Sequence, residues 1–110
     1  MRFRPDTEAM ILGALANGPL HGYGIVKCLK ENSDGLFKLN EGQLYPMLFK
    51  MQESGWIIGE WETEGSGPAR KIYSLTVDGT NELQRKLSDW DRFSKAVQQT
   101  LLTKMEVRNA

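Results

Sequence analysis

The 110 residues predict an α+β, mainly helical domain: three short helices, a two-stranded β-hairpin, then one long C-terminal helix. Three observations carry that reading. Apolar residues recur at helical spacing in four separate stretches. Between the third and fourth, Trp56 to Glu62 and Arg70 to Leu75 turn β-branched and aromatic, on either side of the Gly/Pro-rich run from Thr63 to Ala69. The fourth helical stretch then runs about thirty residues without a break, roughly 45 Å at the standard rise.

In chain order, Pro5-Asp6-Thr7 with Glu8 reads as a helix start, with Asp6 or Thr7 as cap. The first helix carries Met10, Ile11, Ala14 and Leu15 and stops at Asn17-Gly18-Pro19. His21-Gly22-Tyr23-Gly24 opens a second helix with Tyr23, Ile25, Val26 and Leu29 as its apolar positions. Leu36, Phe37 and Leu39 form an extended lead-in. Asn40 caps the third helix, with Gln43 placed to return the bond as a capping box. Leu44, Leu48 and Met51 share the inward face, Pro46 removes one backbone bond and either bends the axis or is simply tolerated, and Gly55 is the stop. Tyr73 and Leu75 share the core face of the second strand. Thr76 caps the final helix, whose stripe is Leu83, Leu87, Trp90, Phe93 or Ser94, Val97 and Leu101.

Composition bounds what such a domain does. Hydrophobic content of 40% with 25% charged residues is ordinary for a globular protein, and 110 residues make one domain. The longest apolar run, Ala9 to Ala16, is too short to cross a membrane, and no apolar signal region follows the basic N-terminus, so a cytoplasmic location without membrane association is expected. Cys28 is the only cysteine and reads as a buried structural thiol. With His21 as the only histidine, no structural zinc site and no other cofactor is expected. A phosphate-cradling loop and a nucleophile elbow are both missing, which argues against an enzyme. Lys+Arg and Asp+Glu balance at 14 each, so any affinity for nucleic acid must come from local placement of charge.

A helix followed by a β-hairpin wing is shaped to lay the helix in one groove of double-stranded DNA and the loop beside it. Residues 1–75 would form this winged helix-turn-helix DNA-binding domain and 76–110 the dimerisation helix, as one compact unit. Asn40, Gln43, Tyr45 and Lys50 are the candidates on the third helix. Gln pairs bidentately with adenine, Tyr reaches a phosphate or sugar, and Lys suits a phosphate. Capping alone also accounts for Asn40 and Gln43, and packing for Tyr45. On the wing, Arg70 and Lys71 can reach the minor groove or its phosphates, unless they pair with Glu60, Glu62 or Glu64 across the hairpin. Lys38, Arg2 and Arg4 are accessory candidates. A helix of this length outruns its own domain, which points to a homodimer through the terminal helices and so to a pseudo-palindromic operator. Trp90 and Phe93, with Met10 as a flexible wall, can sandwich a flat aromatic molecule or attract a cation, or can simply fill the interface.

These residues resemble the PadR-like transcriptional regulators over about residues 9 to 97. The resemblance rests on Ile11-Leu12-Gly13 with Gly18-Pro19-Leu20-His21-Gly22-Tyr23, on Gly42-Gln43-Leu44-Tyr45-Pro46 with Leu48, on Gly67-Pro68, Arg70-Lys71, Tyr73, Leu75 and Thr76, and on Trp90-Asp91-Arg92-Phe93-Ser94. It implies a homodimeric winged-helix repressor that leaves DNA when a small aromatic or cationic effector binds, of the short subgroup with one C-terminal helix. Ala69, Gln43 and Phe49 depart from the family pattern, so no operator sequence transfers. The rival expectation is a winged-helix module that binds other proteins and lacks sequence-specific DNA binding.

Overall fold

The computed structural model describes residues 6–62, 65 and 67–109; Arg2, Arg4 and Glu64, singled out above, lie outside them. Its elements are α1 (Thr7–Leu15), β1 (Leu20–His21), α2 (Gly22–Asn32), α3 (Glu41–Glu53), β2 (Ile57–Glu62), β3 (Arg70–Leu75) and α4 (Val77–Asn109). Among the described residues none forms a helix long and apolar enough to cross a membrane.

Helix α1 begins where Asp6 is extended and its Oδ1 accepts the Ala9 N–H at 3.1 Å. It buries Ile11, Leu12, Ala14 and Leu15, more than one face, because it runs through the middle of the domain. Helices α2 and α4 pack on it and α3 packs on α2, and Ile11, Leu12, Ile25, Leu44, Leu48 and Met51 expose no surface at all. Burying that set supplies the main drive to fold, at roughly 25 cal/mol per Å² of apolar surface.

Both ends of α3 close as the sequence implies. Asn40 Oδ1 accepts the Gln43 N–H at 2.8 Å, and Gln43 Oε1 accepts the Asn40 N–H at 3.2 Å. At the other end Gly55 takes φ 80°. The Trp56 N–H bonds the Met51 carbonyl and the Gly55 N–H the Gln52 carbonyl, both at 3.0 Å. The helix therefore starts and stops at fixed points, which fixes how its outer face is presented.

The sheet has three antiparallel strands in the order β1-β3-β2, one more than the hairpin alone. Leu20 pairs with Tyr73 and His21 with Ile72, while β2 and β3 pair from Ile57 and Leu75 to Glu62 and Arg70. Gly18-Pro19 reads as a turn, and two residues are too few to show alternation, so nothing local announces β1. Alternation puts Ile57, Tyr73 and Leu20 toward the helices and His21, Glu60, Glu62, Arg70 and Ile72 on the outer face.

Thr76 caps α4 and ties it to the end of α3. Its Oγ1 accepts the Gly79 N–H at 2.9 Å and donates to the Gly55 carbonyl at 2.6 Å. The helix is 33 residues, about 50 Å long, in a molecule measuring 66 × 27 × 23 Å. Only its first turns lie on the body. There Leu83 is buried, and Lys86 bonds Asp6 Oδ2 at 2.7 Å with its ammonium 5.8 Å from the Trp56 ring centroid. Further along, Leu87, Trp90, Phe93 and Leu101 are exposed, and pairs such as Arg85–Asp89 and Lys95–Asp91 line the helix surface.

Two apolar expectations fail. Tyr23 is 69% exposed, because the first turn of α2 presents it to solvent and the core side is taken by Ile25 and Leu29. Cys28 is only partly buried, and its sulfur accepts the Asn32 Nδ2–H at 3.2 Å, since it flanks the core face rather than facing it.

Candidate nucleic-acid interface

The loop Ser33–Asn40 turns the chain from α2 into α3. Ser33 Oγ organises it by donating to the Lys30 carbonyl and accepting the Phe37 N–H at 2.9 Å. With Leu44, Leu48 and Met51 turned inward, α3 shows Asn40, Gln43, Tyr45, Phe49 and Lys50 outward, all exposed. Asn40 and Gln43 are both engaged in the capping box. Only the Oε1 of Gln43 is used there, which leaves its Nε2–H₂ group for another acceptor. Glu41 and Glu53 add negative charge at either end of the same helix.

Tyr45 is half-exposed and leans onto the start of α2. A Cβ on Gly22 would sit 2.6 Å from its hydroxyl oxygen and 3.0 Å from its Cζ, so the ring rests directly on glycine backbone. Tyr73 lies close by. Burial pushes the Tyr73 phenol above its ordinary value, and the neighbouring Tyr45 adds to the shift. The structure thus gives Tyr45 a packing contact while leaving part of the ring at the surface.

The two wing cations point to opposite faces. Lys71 is on the helix side, where its ammonium sits 5.9 Å from both the Trp61 and Tyr73 ring centroids. Its stem crosses Gly59, where a Cβ would meet Lys71 Cε at 2.6 Å and Gln52 Oε1 at 2.9 Å. Arg70 is on the outer face opposite Glu62. That carboxylate is already held: His21 Nε2 reaches Glu62 Oε2 at 3.1 Å, from β1 across the sheet. No ion pair joins either wing cation to a carboxylate among the described residues. Sequence reasoning missed the His21–Glu62 contact because it spans 41 residues and depends on β1. Once β1 is paired, the shared outer face of His21 and Glu62 is the signal.

The ligand candidates do not share one hollow within a subunit. Trp90 and Phe93 form a tilted pair with centroids 6.0 Å apart, exposed by 58% and 48%. Phe93, Asp89 and Arg92 line a depression of about 310 Å³ on α4. Met10 instead lines a cleft of about 350 Å³ with Leu29, Leu36, Phe37, Lys38 and Leu39. Among the described residues no His/Cys/Asp/Glu group is arranged to hold a metal ion.

Residues 11–85 match the family described as the Transcriptional regulator PadR-like family. The negative transcriptional regulator PadR of Bacillus subtilis (strain 168) is 35% identical over 80 residues, 73% of this chain and 42% of that protein. The chain therefore spans less than half the length of the curated relatives it matches. Its fold superposes on Bacillus subtilis PadR in complex with operator DNA with a TM-score of 0.68 and 33% identity, over 74% of this chain and 46% of that one. A transcriptional regulator from Clostridium thermocellum gives 0.75 at 25% identity, covering 84% and 89% of the two chains. The PadR-like regulator of Bacillus cereus strain ATCC 14579 gives 0.75 at 28%, covering 86% and 90%. The match runs from α1 through the capped α3 and the hairpin into α4, and on that span the chain belongs to the PadR-like family, whose members are transcriptional regulators and not enzymes.

Proposed function

We infer that this chain is a homodimeric DNA-binding transcriptional regulator, a repressor that occupies a pseudo-palindromic operator and is released by a small aromatic or cationic ligand. The observation that carries the reading is the pairing of an exposed α3 face with wing cations that no described carboxylate neutralises. A relative of 33% identity and the same fold is solved with operator DNA, which supports the same assignment. Gln43 donates its remaining Nε2–H to an adenine N7, Lys50 and Tyr45 meet phosphate or sugar, and Asn40 sets the helix start. Arg70 and Lys71 follow the minor groove or its phosphates beside α3.

Two copies join through α4. Beyond Leu83 its stripe of Leu87, Trp90, Phe93 and Leu101 is exposed on the single chain, and an equivalent helix covers it most simply. Residues 76–110 then serve as the dimerisation element and 1–75 as the reading head. The effector sits between Trp90 and Phe93 and the partner's helix, while Met10 lines a separate hollow of its own subunit.

Titrating operator binding against salt tests the reading. With three or four phosphate contacts per subunit, log K falls against log salt with a slope of roughly −5 to −7 for the dimer. Lys71→Ala weakens all sequences alike, whereas Gln43→Ala changes which sequence is preferred. A slope near zero, with no sequence preference, leaves the protein-binding module as the better account.

A further inference from the structure

Helix α3 has an outward ridge that neither the core nor the capping box uses. Opposite Leu44, Leu48 and Met51, at 100° per residue, lie Gly42, Pro46, Phe49 and Glu53, all exposed. Phe49 is the one large apolar side chain among the four, and 62% of it is open to solvent. Its own fold does not employ it, since the inward positions already fill the core. Tyr45, one turn earlier, is drawn off toward Gly22 and occupies a different side.

The position matters more than the exposure. Phe49 comes eight residues after Glu41, about 12 Å or just over two turns into a helix of the kind that lies in the major groove. Gly42 and Pro46 ahead of it offer little bulk, so the helix can sit close to the base edges. Lys50 adjoins it in the helix and is exposed as well. Glu53 lies about 6 Å further along the axis, at the last residue of the helix. Among the groups B-DNA displays in the major groove, the apolar one is the C5-methyl of thymine.

We propose that Phe49 is a specificity-determining residue that packs on a thymine C5-methyl in each half-site. The inference rests on the DNA-binding reading above and adds to it the chemistry of one read position. Burying one methyl against the ring is worth about fourfold in affinity, and ~15-fold when both half-sites are counted.

The test uses the full chain and an operator obtained by binding-site selection. Each thymine of a half-site is replaced singly by deoxyuridine, which keeps the pairing and lacks the methyl. Wild-type protein is expected to lose about fourfold at one thymine per half-site. Phe49→Ala binds the thymine and deoxyuridine operators equally, and Phe49→Leu, still apolar, keeps a reduced preference. Phe49 is exposed, so both variants hold their unfolding midpoint in urea. Selective, salt-dependent binding that ignores every methyl, or a Phe49→Ala variant that keeps the full methyl preference, overturns the role of Phe49 and leaves DNA binding standing. Loss of selective, salt-dependent binding by the wild type overturns both.

Discussion

At Gly22 one missing carbon decides where an aromatic ring lies. The Tyr45 ring occupies the space a Cβ would need, so Gly22→Ala should push that half-exposed ring aside, at a cost of about 1 kcal/mol, the low end for overpacking. In a Tyr45→Ala background the same change should reverse sign and stabilise by about 0.4–1 kcal/mol, because alanine limits the unfolded chain. Urea unfolding of the four proteins reads this; a cost for Gly22→Ala that persists without the ring would mean the glycine answers to something else. Asp6 makes a second point of the same kind. Burial alone pushes its carboxyl up, but the Lys86 bond, the Ala9 N–H and the Lys86 charge outweigh burial and leave it below its ordinary value. The folded form therefore binds that proton less readily than the unfolded chain. Its stability contribution is present above the usual carboxylate value near 3.9 and fades as pH falls below it. Asp6→Asn should lower stability at neutral pH and flatten the acid limb of the stability curve, as read by thermal melts between pH 3 and 7.

The third helix shows how one side chain can be read two ways until its bonds are known. Asn40→Ala should cost ~1 kcal/mol through loss of the cap, whatever the protein binds, while Asn40→Ser should keep most of that stability. If Asn40→Ser also keeps operator affinity in a fluorescence titration, capping is its whole role; a selective loss of affinity at equal stability would add a base contact. Helices α1 to α4 and the hairpin were legible because each announces itself locally: a cap, a period, a glycine stop. The cap at Asn40, the stop at Gly55 and the cap at Thr76 were readable from residues within a few positions of each other. What stayed hidden depends on distant pairing. Strand β1 exists only because β3 is there to receive it, and Lys86 meets Asp6 across 80 residues of chain. That Arg70 and Lys71 would stand on the second strand of the hairpin was readable locally in the same way. That Glu62 would be held by His21, and that Lys71 would lie between two rings, needed the assembled sheet.

For the molecule as a whole, the proposed function turns on whether α4 joins two copies of the chain. Helix α4 accounts for about 50 Å of a molecule 66 Å long, and the exposed Leu87, Trp90 and Leu101 mark where its stripe lacks cover within the single chain. If two copies join along that stripe, their third helices address half-sites about 34–36 Å apart, or a multiple of it, and the phosphate contacts of both add in the salt dependence. Placing a charge in the stripe separates these effects. Leu87→Glu with Trp90→Glu, both at exposed sites, should leave the unfolding transition of the winged domain nearly unchanged while shifting sedimentation equilibrium from dimer to single chains at micromolar concentration. The slope of log K against log salt should then fall to about half, near −3, because only one set of three or four cations meets the duplex. A charged variant that still sediments as a dimer would place the subunit contact elsewhere. One that becomes monomeric yet keeps the full slope would show that a single head makes all the phosphate contacts, and the two-fold operator would have no physical basis.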